Sequence, residues 1–543
     1  MSVLIQRVAQ WAREIPDSPA YTFVAYPGGV RHTLTWKQAD RRARALAVRL
    51  RELTAPGDRV AVLAPQGLDY VVAMIGALYA RTVAVPLFAP GLPGHAERLA
   101  GAHADAEPAL ALTTTAALPG VHEFAADLPA LAVDAVSSLL ADEWKEEPIA
   151  PGDLAYLQYT SGSTRRPTGV EITHGNIEAN ALQLWEAFAA TPRTSVAALW
   201  LPLFHDMGLI ATVALPMVGG NQAAFMDPVA FVMRPVRWLR LLSEFPDVYT
   251  GGPNFAYDYT AARVSEADKE GLDLSGVRIM LNGAEPVRPA TIAAFDAAFA
   301  SCGLRPEAHT PAYGLAEATV FVAAAGRDQR PRVTDFDRDA LGRGRAVPYT
   351  PGSTKGSKST LVSCGRPTGQ RVRVDAPDGH VGEIRVQGPN VARAYWRDAG
   401  RSAEVFGSGW LRTGDLGVIH DGELYVTGRI KDLIIVDGRN HYPQDIEVTV
   451  QEACEAVRRD HVAAFAVPCG EGERLVVVAE RSRRGQDADP AEVAGLVRAA
   501  VAGKHDLTVH DVVLAEAGAV PRTSSGKIAR RACLEAYLED AFV

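Results

Sequence analysis

The stretch "YLQYTSGSTRRPTGVEITHGN" (residues 156–176) carries the reading of the fold. Its leading apolar run, "AYLQYT" (155–160), is short and unbroken, as a strand buried on both faces should be. The residues that follow, "TSGST", have small side chains, free backbone N–H groups and hydroxyls. Such a loop can wrap closely around a cluster of anionic oxygens. It is not a Walker loop, because no Gly-Lys-Ser/Thr triplet closes it. Taken alone it reads either as a phosphate loop or as a Ser/Thr-rich surface turn.

Outward from this stretch the same texture recurs. "RVAVLA" (59–64) and "RIMLNG" (278–283) read as further buried strands, and "LDYVVAMIGALYARTV" (68–83) and "PATIAAFDAAFASCG" (289–303) as helices. Strands alternating with helices predict an α/β protein of parallel sheets layered between helices. The long apolar stretch 209–226 contains Pro216 and the Gly219-Gly220 pair, is short for a bilayer crossing, and reads as a buried helix and a turn. From about Gly382, alternating residues around Gly and Asp-Gly turns predict an antiparallel, β-barrel-like subdomain. After Arg429 a fresh set of helix and strand patterns begins. The expected division is a large domain over 1–429 and a small, mobile α+β domain over 430–543.

Composition narrows the function classes. A chain of 543 residues exceeds what one core usually organises, which again favours more than one domain. The 55 basic and 64 acidic residues are interspersed and sum to a net charge of -9, so no basic stripe awaits nucleic acid. The five cysteines, Cys302, Cys364, Cys454, Cys469 and Cys533, are widely spaced and read as reduced thiols used as small apolar residues, which places the protein in the cytoplasm. The N-terminal "MSVLIQRVAQWAREIPDSPA" lacks the continuous apolar run of a signal peptide and is expected to be retained.

Eight motifs in order, "YTSGSTRRPTGVEITHGN", "WLPLFHDMGLI" (200–210), "GGPNFAYD" (251–258), "NGAEPV" (282–287), "AYGLAEAT" (312–319), "GWLRTGDLG" (409–417), "GRIKDLIIVDGRNHYPQDIE" (428–447) and "PRTSSGKIARR" (521–531), resemble the adenylate-forming superfamily almost end to end. Within it the chain is most similar to the fatty acyl-AMP ligases. Many superfamily members carry Gly and Lys where this chain has Arg165 and Thr168, and the acyl-AMP ligase branch often shows Arg and a small residue there.

That resemblance implies a residue-by-residue assignment. Thr160, Ser161, Gly162, Ser163 and Thr164 would hold the β and γ phosphates of ATP, and Glu317 would bind Mg²⁺, which requires hard oxygen ligands. Ala284, Glu285 and Pro286, with Tyr313 and the following Gly314, Leu315 and Ala316, would form the nucleotide pocket. Asp415 would take the ribose hydroxyls, with Arg429 completing that contact. Lys527 would be the catalytic cation, placed to stabilise charge building between the carboxylate and the α phosphorus. Lys431 would be the hinge about which the small domain turns. His205 stands with Lys527 and Glu317 among the catalytic candidates. It occupies the apparent position of the aspartate that pairs with the substrate ammonium in amino-acid-activating relatives, which argues against an amino-acid substrate. Asp206 is adjacent, so a register shift of one residue would reverse the argument, and His205 could equally shape the acyl entrance or be a core histidine.

The implied substrate is a fatty acid, with the stretches 209–217 and 251–258 as candidate tunnel walls or ordinary core. An apparent insertion at 333–362 corresponds to one that, in acyl-AMP ligases, goes with poor use of coenzyme A. No carrier segment follows Lys527, so a separate acyl carrier protein or polyketide/peptide synthase is the expected acceptor. The competing expectations are an acyl-CoA ligase of the same fold and a catalytically silent nucleotide- or acyl-binding regulator.

Overall fold

The computed structural model describes residues 3–91, 96–160, 167–352, 357–436, 439–469, 472–523 and 526–542. The buried run that opened the sequence analysis is a strand, Leu154–Thr160, in a six-stranded sheet. It lies next to the parallel strand Val83–Pro86 on one side, and its antiparallel partner Thr168–Thr173 forms the sheet edge on the other. Thr160 and Thr168 face each other at the loop end of that hairpin. Thr173 then starts the helix His174–Ala187: its Oγ1 accepts from the Asn176 N–H, and the Asn176 side chain accepts from the Thr173 N–H. This capping box satisfies two helix-start donors that would otherwise be buried unpaired.

A nine-stranded sheet has a parallel centre, with His309–Tyr313, Val277–Asn282, Val248–Gly252, Val196–Leu199, Gln222–Met226 and Pro19–Ala25 side by side in that order. Each of these strands is covered on both faces, and one apolar core containing Trp36, Trp238, Tyr257 and Phe295 runs through both large sheets. The segment 209–226 is the buried helical stretch expected, interrupted by a π-turn at Ile210–Ala214 and followed by the strand Gln222–Met226. No helix among the described residues is long and apolar enough to cross a membrane.

The antiparallel region is an open four-stranded sheet, Arg371–Asp375, Gly382–Gln387, Leu411–His420 and Glu423–Arg429. The barrel-like expectation is corrected accordingly: the first and last of these strands do not pair, and no closed barrel forms among the described residues. Residues beyond Arg429 build two apolar clusters of their own, drawn from Ile434 to Phe542, around a three-stranded sheet of Val457–Cys469, Gly472–Arg481 and Val509–Ala515. Within 333–362, strands Val333–Asp337 and Lys358–Val362 form a separate two-stranded hairpin. Cys302, Cys364, Cys454 and Cys533 are free thiols, three of them buried; the Cys469 side chain lies outside the described set.

Candidate active site

Parallel α/β sheets leave a crevice at the carboxyl ends of their strands, and here those ends open into a cleft of about 1520 Å³. Thr160, Gly251, Gly283 and Tyr313–Gly314 line it from the large sheets, Asp415 and Arg429 from the antiparallel sheet, and Lys527 from the last segment. Ser161, Gly162, Ser163 and Thr164 lie outside the described residues.

Asp415 and Arg429 are register partners on neighbouring antiparallel strands, so their side chains share a face. Arg429 Nε donates to Asp415 Oδ1 at 2.8 Å, and the Tyr313 hydroxyl donates to Oδ2 at 2.8 Å. Asp415 is buried, and its charge holds the Arg429 guanidinium above its ordinary pKa. Burial, reinforced by Asp415, pushes the Tyr313 hydroxyl up as well, so it stays a donor. Each carboxylate oxygen thus has one fixed partner and keeps further lone pairs for a ligand.

The "NGAEPV" turn is set by a residue the sequence reading did not single out. The Asn254 N–H donates to Glu285 Oε1 at 3.1 Å, and its side-chain Nδ2 donates to the Pro286 carbonyl at 2.9 Å. Asn254 Oδ1 accepts from Asn282 Nδ2 and from the Arg288 N–H. These bonds hold Ala284 at φ +71°, a left-handed conformation that costs a non-glycine residue about 1 kcal/mol or more. Asn254 lies inside the quoted "GGPNFAYD"; its small polar side chain just after a Gly-Gly-Pro run was the available signal.

Glu317 sits on the short turn Ala316–Ala318, with Oε1 accepting from the Tyr395 hydroxyl at 2.7 Å. The approach is so close that a Cβ on Gly314 would lie 1.7 Å from the Val320 carbonyl oxygen, so only glycine fits there. Tyr395 too was missed, since nothing in local sequence says that residue 395 reaches residue 317.

His205 Nδ1 lies 2.6 Å from Asp206 Oδ1, and the same oxygen accepts from the Met207 N–H at 2.7 Å. Burial works to raise the Asp206 pKa, but His205, the Met207 N–H and Lys527 outweigh it and leave it lowered. Both side chains face the cleft.

Lys527 arrives on a tight turn. The Gly526 N–H donates to the Thr523 carbonyl and the Lys527 N–H to Thr523 Oγ1, with Gly526 at φ +78°. Gly526 also rests on the Phe255 ring, where an added Cβ would come within 3.3 Å. Burial lowers the Lys527 pKa and Arg429 lowers it further, against the attraction of Glu285, Asp206 and Asp415. The cation therefore stands among the residues of four other motifs. Lys431 is exposed on the turn Ile430–Asp432 and lines the same cleft.

An apolar arm of the cleft is lined by Leu184, Phe188, Leu199, Tyr249, Leu281 and Phe321. Of the candidate tunnel stretch 209–217 only Ala211 faces it, while Leu209, Ile210, Val213, Leu215 and Met217 pack into the core. Of 251–258, Gly251, Asn254 and Phe255 line the cleft.

A sequence profile described as "AMP-binding enzyme" matches residues 8–396, which defines the class, and one described as "Disco-interacting protein 2-like, AMP domain" matches 431–543. The chain is 43% identical to the long-chain-fatty-acid–AMP ligase FadD32 of Mycolicibacterium smegmatis, covering 99% of this chain and 94% of the relative. It is 42% identical to a 4-hydroxyphenylalkanoate adenylyltransferase of Mycobacterium marinum, covering 98% and 90%. Among solved structures it resembles the fatty acyl-adenylate ligase of L. pneumophila in complex with acyl adenylate and pyrophosphate, at 34% identity and a TM-score of 0.77, covering 99% and 96%. The chain belongs to the AMP-binding enzymes and, within them, to the fatty acyl-AMP ligases.

Proposed function

We propose that this protein joins a fatty acid to AMP, releasing pyrophosphate from ATP, and then hands the acyl group to the phosphopantetheine thiol of a separate acyl carrier protein or a polyketide/peptide synthase. The observation that carries the reading is the position of Lys527, in one cleft with the apolar arm and near enough to Arg429, Glu285, Asp206 and Asp415 for their charges to act on it.

In this reading Asp415 accepts from the ribose hydroxyls, and the turn held by Asn254 shapes the base pocket together with Tyr313, Gly314, Leu315 and Ala316. The carboxylate oxygen of the fatty acid attacks the α phosphorus, and the bond to pyrophosphate breaks with its electrons leaving on pyrophosphate. Negative charge builds around the α phosphate, and the Lys527 ammonium stabilises it more than it stabilises the separated reactants. Thr160 and Glu317 mark the polyphosphate end. Glu317 suits Mg²⁺: it offers an oxygen ligand with one oxygen already oriented by Tyr395, and Mg²⁺ ordinarily takes one or two carboxylates plus phosphate oxygens and water rather than a full protein cage. Bound there, the ion would neutralise polyphosphate charge.

The second half-reaction needs Lys527 to withdraw so that a thiol can reach the acyl carbonyl. Arg429 is tied to Asp415, while Asp432 is tied to Arg530, which also grips Glu447 through two bonds of 2.7 Å. Only Ile430 and Lys431 lie between these anchors, and we assign the hinge to them, with a large domain over 1–429 and a small one over 430–543. The reduced thiols favour the cytoplasm as the site of reaction.

The test is a mass-spectrometric product assay with ATP, Mg²⁺ and a panel of fatty, aryl and amino acids, with and without coenzyme A. Fatty acyl-adenylate that accumulates and is not converted by coenzyme A is the expected result. Ready formation of acyl-CoA, or activation of amino acids alone, would overturn the reading.

A further inference from the structure

The cations that line the cleft differ in what holds them. Arg288, Arg429 and Arg530 are each paired with at least one carboxylate. Arg401 lines the same cleft and lies within ion-pair distance of no carboxylate among the described residues. It is held by neutral groups instead. Arg401 Nη1 donates to Thr168 Oγ1 at 3.0 Å, and the guanidinium carbon lies 4.1 Å above the centre of the Tyr395 ring.

The backbone fixes this placement. The segment before Arg401 runs along the edge strand Thr168–Thr173: the Trp396 N–H donates to the Gly169 carbonyl, the Arg393 N–H to the Glu171 carbonyl, and the Glu171 N–H to the Ala394 carbonyl. Asn176 Nδ2 adds bonds to the Pro389 and Val391 carbonyls. Asp398 then caps the helix Ala399–Phe406 by accepting from the Arg401 N–H. Arg401 therefore stands beside Thr168, opposite Thr160 on the hairpin, and Tyr395 beneath it reaches Glu317. A guanidinium has five N–H donors in a planar fork, and this one is held by neutral groups, the Thr168 hydroxyl and Tyr395, leaving a full positive charge at the polyphosphate end of the cleft.

We propose that Arg401 is a pyrophosphate-binding residue, donating its remaining N–H groups to the β and γ phosphate oxygens of ATP and to the leaving pyrophosphate. The inference rests on the adenylation reading above. It supplies by tertiary contact a positive charge that Thr168 itself does not carry. Arg401 acts on the group that leaves and touches nothing retained in the acyl-adenylate.

The experiment compares wild type with Arg401→Met, which keeps the stem over Tyr395, and Arg401→Lys. Three quantities are measured: the KM for ATP in acyl-adenylate formation, the half-saturating inorganic pyrophosphate in the reverse reaction that returns acyl-adenylate to ATP, and the Kd for an acyl-sulfamoyl-adenosine analogue. A charge-assisted contact to phosphate predicts that Arg401→Met raises the ATP and pyrophosphate values about tenfold or more, with analogue Kd unchanged and Arg401→Lys recovering part of the loss. An unchanged pyrophosphate dependence in Arg401→Met would overturn the proposal, as would a parallel loss of analogue binding, which would make Arg401 a packing residue. Wild type that forms no acyl-adenylate overturns the adenylation reading itself, a result separable from wild-type activity with an unaffected variant.

Discussion

Lys527 is required to be positive where its surroundings make positive charge costly. Burial and Arg429 both lower its pKa, and only the carboxylates of Glu285, Asp206 and Asp415 resist. An ammonium held in this way is poorly solvated and gains most from a developing anion, which is the condition for stabilising a transition state more than a ground state. Lys527→Ala is expected to cut acyl-adenylate formation by about 10²- to 10³-fold. Transfer from supplied acyl-adenylate to a carrier thiol should survive, because that step does not use the ammonium; single-turnover assays of each half-reaction check both. The sign of the pH effect follows from the same environment. The charged form is the active one and its pKa is lowered, so kcat/KM for adenylation should fall as pH rises through a value below the ordinary lysine range. A pH profile flat up to that ordinary range would contradict the assignment.

Among elements, the turn following the strand His309–Tyr313 is the least tolerant. A Cβ at position 314 would penetrate the Val320 carbonyl, so Gly314→Ala must displace the turn that carries Glu317. Overpacking of this kind costs about 1–3 kcal/mol, seen as a lowered Tm together with weakened ATP binding. The hairpin in 333–362 meets the small domain through Arg338, which contacts His505 Nδ1 at 2.7 Å, while His505 Nε2 contacts Thr449 at 2.7 Å. Burial first, then Arg338, Lys504 and His441, lower the His505 pKa to about 3. The unfolded chain therefore binds a proton that the folded one refuses below about pH 6.5. Stability from this site is complete above that pH and should be lost on acidification toward pH 3, by up to roughly 1.4 kcal/mol per pH unit, with His505→Gln flattening the dependence of Tm on pH. Elements with a local signature were legible in the sequence: "AYLQYT", "RVAVLA" and "RIMLNG" are the strands they read as, and "RTGD" with "GR" falls on paired strands of one sheet. What depended on distant contacts was not legible. Pairing of Pro19–Ala25 with Gln222–Met226 joins positions some 200 residues apart, barrel closure depends on whether edge strands meet, and Tyr395 and Asn254 gain meaning only from what they reach.

Across the whole molecule, closure of the cleft is held by a pair that no motif announced. Arg288, just after the "NGAEPV" turn, donates to Asp258 at 2.6 Å beside it and to Asp460 at 2.5 Å on the far side of the cleft. Asp460 occupies a left-handed position, φ +60°, within an irregular stretch of the strand Val457–Cys469, which directs its carboxylate out of the small domain's own sheet. Asp258 keeps Arg288 paired when the domains part, so opening leaves no buried charge stranded, and the Asp460 bond adds stability to the closed arrangement alone. Asp460→Ala should therefore leave the fold intact and shift the population away from the arrangement that seats Lys527. A loss of roughly 1 kcal/mol at this partly buried pair corresponds to an adenylation rate lowered about three- to tenfold, with transfer from supplied acyl-adenylate unchanged or faster. The charge-reversed double variant Arg288→Asp with Asp460→Arg separates the explanations less cleanly, because it sets two aspartates against each other at Asp258. The sharper control is Asp258→Asn with Asp460 intact, which removes the retained partner and spares the cross-cleft bond. Equal slowing of both half-reactions in Asp460→Ala would show that the pair supports the fold generally and would remove it as a determinant of which half-reaction the molecule is poised to perform.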